Sequence, residues 1–155
     1  DLQMDVTARI AAIRADGGQR LTDTDVWTNL NSFTGHGGKI LFFHGWGDPW
    51  FSALDTVDYY ERMAQASGGM DRVRAQSSRF FAVPGMGHCA SGQTLDRFDL
   101  LGALVDWVEA GKAPDAVVAT GPAFPGRSRP LCAYPTVATY KGSGNVEDAA
   151  SFACR

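Results

Sequence analysis

Two apolar runs constrain this chain more than any other feature: Lys39-Ile40-Leu41-Phe42-Phe43 and Arg79-Phe80-Phe81-Ala82-Val83. Neither alternates polar with apolar, so each reads as a strand buried on both faces, the pattern of a parallel sheet. Between them lies a stretch of helical period. Ser52-Ala53-Leu54-Asp55 has the form of a capping box with Asp in the reciprocal position. Leu54, Val57, Met63 and Ala64 form the expected buried stripe, and Gly68-Gly69 ends it. Strand, helix and strand make a βαβ unit, so the fold class is α/β.

A glycine-rich turn bearing ionisable residues follows each strand. The first is His44-Gly45-Trp46-Gly47-Asp48-Pro49 and the second is Val83-Pro84-Gly85-Met86-Gly87-His88-Cys89. Asp48 lies five positions past Phe43, and His88 five past Val83. Both therefore fall at the carboxyl edge of the sheet, where α/β folds place their functional groups. An acid after one strand and a histidine after the next is the order in which an α/β-hydrolase completes its triad. The imidazole takes a proton from the nucleophile, and the carboxylate fixes its tautomer. Each residue also has a plainer reading, Asp48 as a turn or helix-capping residue and His88 as a structural histidine.

The rest of the chain frames this unit. Val6, Ile10 and Ile13 are at helical spacing, and Gly17-Gly18 should stop that helix. Trp27, Leu30 and Phe33 suggest a short helical turn. Phe98, Leu101, Leu104, Val105 and Val108 mark a further helix, closed by Gly111 and Pro114, with Trp107 as core. From Ala116 onward the pattern is loop-like, with short extended pieces such as residues 137–140. We expect one partial domain over residues 1–155: an N-terminal helix and connector (1–36), a βαβα part (37–115) and a disulfide-closed C-terminal loop (116–155).

Composition excludes several classes. The net charge of −3 leaves no basic footprint for nucleic acid. No apolar run approaches the roughly 18 residues of a membrane span, and residues 1–15 do not read as a signal peptide. The start at Asp1 fits a processed product or a fragment. There are three cysteines, Cys89, Cys132 and Cys154. Cys132 and Cys154 flank a loop rich in Gly, Pro and Ser and are the expected pair, leaving Cys89 odd. Three buried reduced thiols are the alternative.

Several arrangements are rejected on spacing. His36, His44, His88 and Cys89 lack any standard zinc-ligand spacing. A Cys89–His88 dyad would need sequence neighbours to face each other. His44 is expected to hydrogen-bond locally. Trp46, Trp50 and Phe51 surround Asp48, either as core or as the wall of an aromatic acyl pocket. No serine stands in a Gly-x-Ser-x-Gly elbow: Ser32 precedes Asp48 in Asn31-Ser32-Phe33, and Ser143 follows the histidine. The residues supply a base and its orienter but no recognisable nucleophile.

The chain resembles the tannase and feruloyl esterase family of α/β-hydrolases. The resemblance rests on Gly-Gly-Lys-Ile-Leu-Phe-Phe-His-Gly (37–45), the stretch from Asp48 to Met63, and Val-Pro-Gly-Met-Gly-His-Cys (83–89). Asp-Arg-Phe-Asp (96–99), residues 106–115, Arg-Pro-Leu-Cys-Ala-Tyr-Pro (129–135) and Tyr-Lys-Gly-Ser-Gly (140–144) add to it in order and spacing.

The resemblance implies the C-terminal part of an α/β-hydrolase fold, without the nucleophile or the lid. It implies a secreted or periplasmic serine esterase acting on small aromatic esters, hydroxycinnamoyl or galloyl. Asp48 and His88 would be triad acid and base, and Phe51, with Trp50 and Trp46, would contact substrate. Cys89 would pair with a cysteine beside the serine, outside this chain, and Cys132 with Cys154. No cofactor or metal is expected within the chain, since the structural calcium that the resemblance implies belongs to the absent lid. No nucleic acid or membrane partner is expected, and the missing N-terminal part of the enzyme is. A non-catalytic fragment or half-domain docking to a separate N-terminal half is the competing expectation.

Overall fold

A computed structural model describes residues 3–155. In chain order the elements are α1 (Val6–Ala15), α2 (Gly17–Arg20), α3 (Asn31–Gly35), β1 (Ile40–Gly45), α4 (Ala53–Ala66), α5 (Met70–Gln76), β2 (Ser78–Val83), α6 (Leu100–Ala110), β3 (Ala116–Ala119), β4 (Arg129–Cys132), β5 (Ala138–Tyr140) and β6 (Phe152–Cys154). A 3-10 turn, Ala149–Ser151, precedes β6.

The βαβ unit forms as expected. β1 and β2 run parallel, with Ile40 opposite Ser78 and Gly45 opposite Val83. The strands therefore end level, and the Asp48 and His88 loops leave the same edge. Successive strand residues point to opposite faces. Phe80 packs with Tyr60, Met63, Ala64 and Val73 on one side of the sheet. Phe81 packs with Val83, Met86, Leu95, Leu131 and Ala133 on the other.

The two strands differ in burial, although both runs read as fully buried. Phe80, Phe81 and Val83 of β2 are wholly buried, whereas Phe43 of β1 is 48% exposed. β2 is flanked by β1 on one side and by an antiparallel bridge from Phe81 to Ala133 on the other. β1 has only β2 beside it among the described residues.

In α4, the Ser52 hydroxyl accepts the Leu54 amide hydrogen and caps the helix. The buried positions are Ala53, Tyr60, Met63 and Ala64, with Val57 half-buried. Leu54, expected in the stripe, is exposed. The face is anchored by Tyr60 and Ala64, which project back onto Val57 and Ala53 at 3.6-residue spacing and leave Leu54 about 100° around the helix. Gly68 and Gly69 adopt φ of 98° and 101°, which frees the chain to turn into α5, a helix the periodicity did not reveal.

The Asp99 carboxylate accepts the Gly102 amide hydrogen at the start of α6, and Gly111 closes it in the left-handed conformation. Trp107 is buried beneath the cations of Lys39 and Arg79, at 5.5 and 5.1 Å from its ring. Leu101, Val105 and Val108, expected on the buried stripe, are exposed. Only the Trp107 face of α6 meets a buried surface among the described residues.

The two ends of the chain follow the sequence reading in outline and depart from it in detail. Asp5 caps α1, but Val6, Ile10 and Ile13 remain exposed. α1 ends at Ala15, just before Gly17 and Gly18 as expected, and these glycines then open α2, where the Asp16 side chain accepts the Gln19 amide hydrogen and starts a new turn. Of the expected turn residues only Phe33 lies in α3, and the Trp27 indole donates to the Arg20 carbonyl instead. Residues 116–155 are largely loop with short extended pieces, as expected, including β5 within residues 137–140, and those pieces pair. β3 pairs antiparallel with β4, and β5 with β6. The expected Cys132–Cys154 disulfide ties β4 to β6, with Cα atoms 5.5 Å apart. Among the described residues no helix is long and apolar enough to cross a membrane.

Candidate active site

The loops after β1 and β2 are bound to each other before their side chains meet. The Trp46 amide donates to the Val83 carbonyl at 3.0 Å, and the Gly47 amide to the Met86 carbonyl at 2.9 Å. Glycine at position 45 permits this approach, because a Cβ there would lie within 3.0 Å of the carbonyl oxygens of Met86 and Gly87.

Asp48 does two jobs at once. Its Oδ1 accepts the amide hydrogens of Trp50 and Phe51 at 2.8 and 3.1 Å, which is the turn-forming role. Its Oδ2 accepts from Nδ1 of His88 at 2.9 Å. The carboxylate is 5% exposed and the imidazole 35%. Burial opposes the charge on Asp48. The hydrogen bonds from His88, Trp50 and Phe51, with the charge of His88, outweigh it and hold the carboxyl well below the usual carboxylate range. An ionised carboxylate can only accept, so Nδ1 of His88 carries the hydrogen, and in the neutral ring Nε2 is the nitrogen with the free lone pair. The pair thus presents a base on a half-exposed ring, held by a buried anion.

The His88 loop is tightly wound. The Gly87 amide donates to the Ser91 carbonyl at 3.0 Å and the Ala90 amide to that of His88 at 2.8 Å. Cys89 and Ser91 take positive φ of 62° and 71°. Cys89 is exposed and is a free thiol.

The three aromatics separate. The rings of Trp50 and Phe51 lie 4.7 and 5.5 Å from the His88 imidazole and are 73% and 62% exposed. They are not core. Trp46 instead lines a cavity of about 510 Å³, walled also by Thr94, Phe124, Arg127, Pro130 and Phe152, whose lining includes neither Asp48 nor His88.

His44 makes the local contact expected of it, its Nδ1 lying 2.7 Å from Thr56 Oγ1. Its Nε2 lies 3.3 Å from Asp48 Oδ2, a contact the sequence reading missed. The strand period carried the signal: His44 shares a face with Phe42, which packs on Tyr59 and Tyr60 of α4. His36 binds the Ser32 carbonyl, away from this group. Among the described residues no group of three or more His, Cys, Asp or Glu side chains is placed to hold a metal ion. The implied calcium therefore finds no fitting donor set among them, and no step below passes through it.

A family model described as tannase and feruloyl esterase matches residues 4–155. The chain belongs to the tannase and feruloyl esterase family. This esterase-family chain is 50% identical over 132 residues to a mono(2-hydroxyethyl) terephthalate hydrolase of Piscinibacter sakaiensis, a match over 82% of the chain and 21% of the relative. It is 34% identical over 143 residues to feruloyl esterase B of Aspergillus niger, over 81% of the chain and 27% of that enzyme. A crystal structure of an esterase from Aspergillus oryzae superposes with a TM-score of 0.79 at 29% identity, covering 99% of this chain and 34% of that one. Feruloyl esterase B from the same organism gives 0.73 at 28% identity, covering 83% and 29%. The fold is thus of α/β-hydrolase type. The chain spans between 21% and 34% of the length of these relatives.

Proposed function

We propose that this chain is the acid- and base-bearing part of a serine carboxylesterase acting on aromatic acid esters, hydroxycinnamoyl or galloyl. The observation that carries the reading is the hydrogen bond from His88 Nδ1 to the buried carboxylate of Asp48. It leaves Nε2 as a base at a level sheet edge, the arrangement a hydroxyl nucleophile needs.

The serine lies in a part of the polypeptide outside these 155 residues. His88 Nε2 takes its proton as Oγ attacks the ester carbonyl. The tetrahedral intermediate collapses to an acyl-enzyme as His88 returns the proton to the departing alcohol. Water then enters, His88 takes its proton, and the acid and free serine are released. Asp48 keeps the ring in the working tautomer throughout and stabilises the imidazolium. Trp50 and Phe51, exposed beside His88, form an apolar wall for the aromatic acyl group.

The N-terminal part of the same enzyme covers the open edge of β1 and the exposed Leu101, Val105 and Val108 of α6. An unpaired strand edge beside exposed apolar side chains is a surface that calls for a partner. Cys89, exposed beside His88, bonds to a cysteine near the serine. The disulfide between β4 and β6 fits a secreted or periplasmic enzyme.

The test is hydrolysis of methyl ferulate and methyl gallate by the complete esterase that carries this chain, with and without His88→Ala. Turnover of either ester that falls by about 10³-fold or more in the variant supports the reading. Undiminished turnover in the variant overturns it.

A further inference from the structure

We infer that His44 is a positioning residue for Asp48, a second imidazole that contacts the same carboxylate oxygen as His88 and is itself oriented by Thr56. This rests on Asp48 being the triad acid.

His44 is the next-to-last residue of β1, and its side chain is 15% exposed. Strand alternation turns it toward α4, where Thr56 lies one turn before Tyr60. Nδ1 is 2.7 Å from Thr56 Oγ1, and Nε2 is 3.3 Å from Asp48 Oδ2. Nε2 is also buried without a properly aligned hydrogen-bond partner. A buried polar nitrogen of this kind calls for a reason.

The tautomer follows from the neighbours. A lone pair on Nε2 would face the carboxylate and be repelled, so Nε2 carries the hydrogen. Nδ1 is then the acceptor, and the Thr56 hydroxyl donates to it. The direction of donation runs from Thr56 to His44 and on toward Asp48. Oδ2 thus has two N–H dipoles near it, from His44 and from His88, while Oδ1 is fixed by two main-chain amides. The carboxylate cannot rotate without giving up one of these partners. His44 acts through Asp48 and touches no reacting atom.

The test uses the complete esterase. His44→Leu is expected to lower kcat by about tenfold to a hundredfold with KM within about twofold, the cost of a misplaced catalytic group. His44→Gln, which can return an N–H near the Nε2 position, is expected to recover most of that loss. Thr56→Val, nearly the same shape, should lower kcat in the same direction, and Thr56→Ser should restore it. In ¹⁵N-histidine spectra His44 should carry its hydrogen on Nε2 in the wild type and lose that preference in Thr56→Val.

A purely structural role would lower the melting temperature and leave the Gln, Ser and tautomer results unmoved. If His44→Leu fails to fold, the Thr56 pair decides alone. Asp48→Asn is measured alongside. If it abolishes turnover while folded His44→Leu and Thr56→Val stay within twofold of wild type, the role of His44 is overturned and the triad stands. If Asp48→Asn is itself active, the triad reading fails first, and this inference with it.

Discussion

Nδ1 of His88 lies 2.9 Å from Oδ2 of Asp48, across the ends of two parallel strands that stop in register. The strand register brings the two loops level, and two main-chain hydrogen bonds lock them together. The Asp48–His88 geometry is a consequence of how the sheet ends.

Gly45 is where that consequence is most exposed to substitution. In Gly45→Ala the new methyl would press on the Met86 and Gly87 carbonyls, which belong to backbone and cannot swing aside. We expect a loss of about 1–3 kcal/mol in stability, together with a fall in kcat larger than the fall in folded fraction. Denaturant unfolding and active-site titration measure the two separately. An alanine variant as stable and active as wild type would show that the loops part freely.

The Asp48 carboxyl is held below its ordinary range, so its contribution to stability has a definite sign with pH. A carboxyl with a depressed folded-state pKa stabilises the fold fully above the unfolded value of about 3.9, and that contribution is lost as pH falls through the folded-state pKa. The melting-temperature gap between wild type and Asp48→Asn should be constant above about pH 5 and narrow below about pH 4. A gap that widens on acidification would contradict the hydrogen-bonded, ionised Asp48.

The disulfide gives a third outcome. Cys132 and Cys154 are 22 residues apart, and the chain-entropy model assigns a loop of that size about 3 kcal/mol. The double substitution Cys132→Ser with Cys154→Ser should lower unfolding free energy by about that amount. Thiol titration of the isolated chain, denatured and unreduced, should count one thiol, that of Cys89. A count of three would reject the pairing.

Trp50 and Phe51 should act on binding more than on proton transfer. Their rings flank His88 and are largely exposed. Phe51→Ala is expected to raise KM for an aromatic ester by about tenfold, the cost of one lost apolar wall, and to leave KM for an acetyl ester unchanged. Equal effects on both esters would remove Phe51 from the acyl pocket.

The sequence made the βαβ unit and the Asp48–His88 pair legible for the same reason. Strand-length apolar runs and the glycine turns after them are local signals, and a parallel pair needs only two of them to fix which edge the loops share. The Cys132–Cys154 pair was legible from its loop. What was not legible depends on contacts from afar. β3, β4 and β6 are three or four residues long, too short to show alternation, and are held by pairing and a disulfide, whereas the extended piece at 137–140 was legible and contains β5. Leu54 looked like core because its spacing to Val57 is helical, yet Tyr60 sets the buried face. Leu101, Val105 and Val108 carry the periodicity of a packed helix but find no partner among the described residues. His44 looked merely local because its second neighbour, Asp48, is reached only once the loop folds back.

The central claim is that Asp48 and His88 work as acid and base of one triad, and kcat of the complete esterase with Asp48→Asn on a feruloyl or galloyl ester tests it most directly. The asparagine keeps the shape of the side chain but cannot hold His88 in the same tautomer or stabilise its charged form. The expected result is a fall in kcat of about 10⁴-fold, as for a serine-protease triad, with the protein still folded. A kcat within tenfold of wild type would contradict the account and remove Asp48 from the triad.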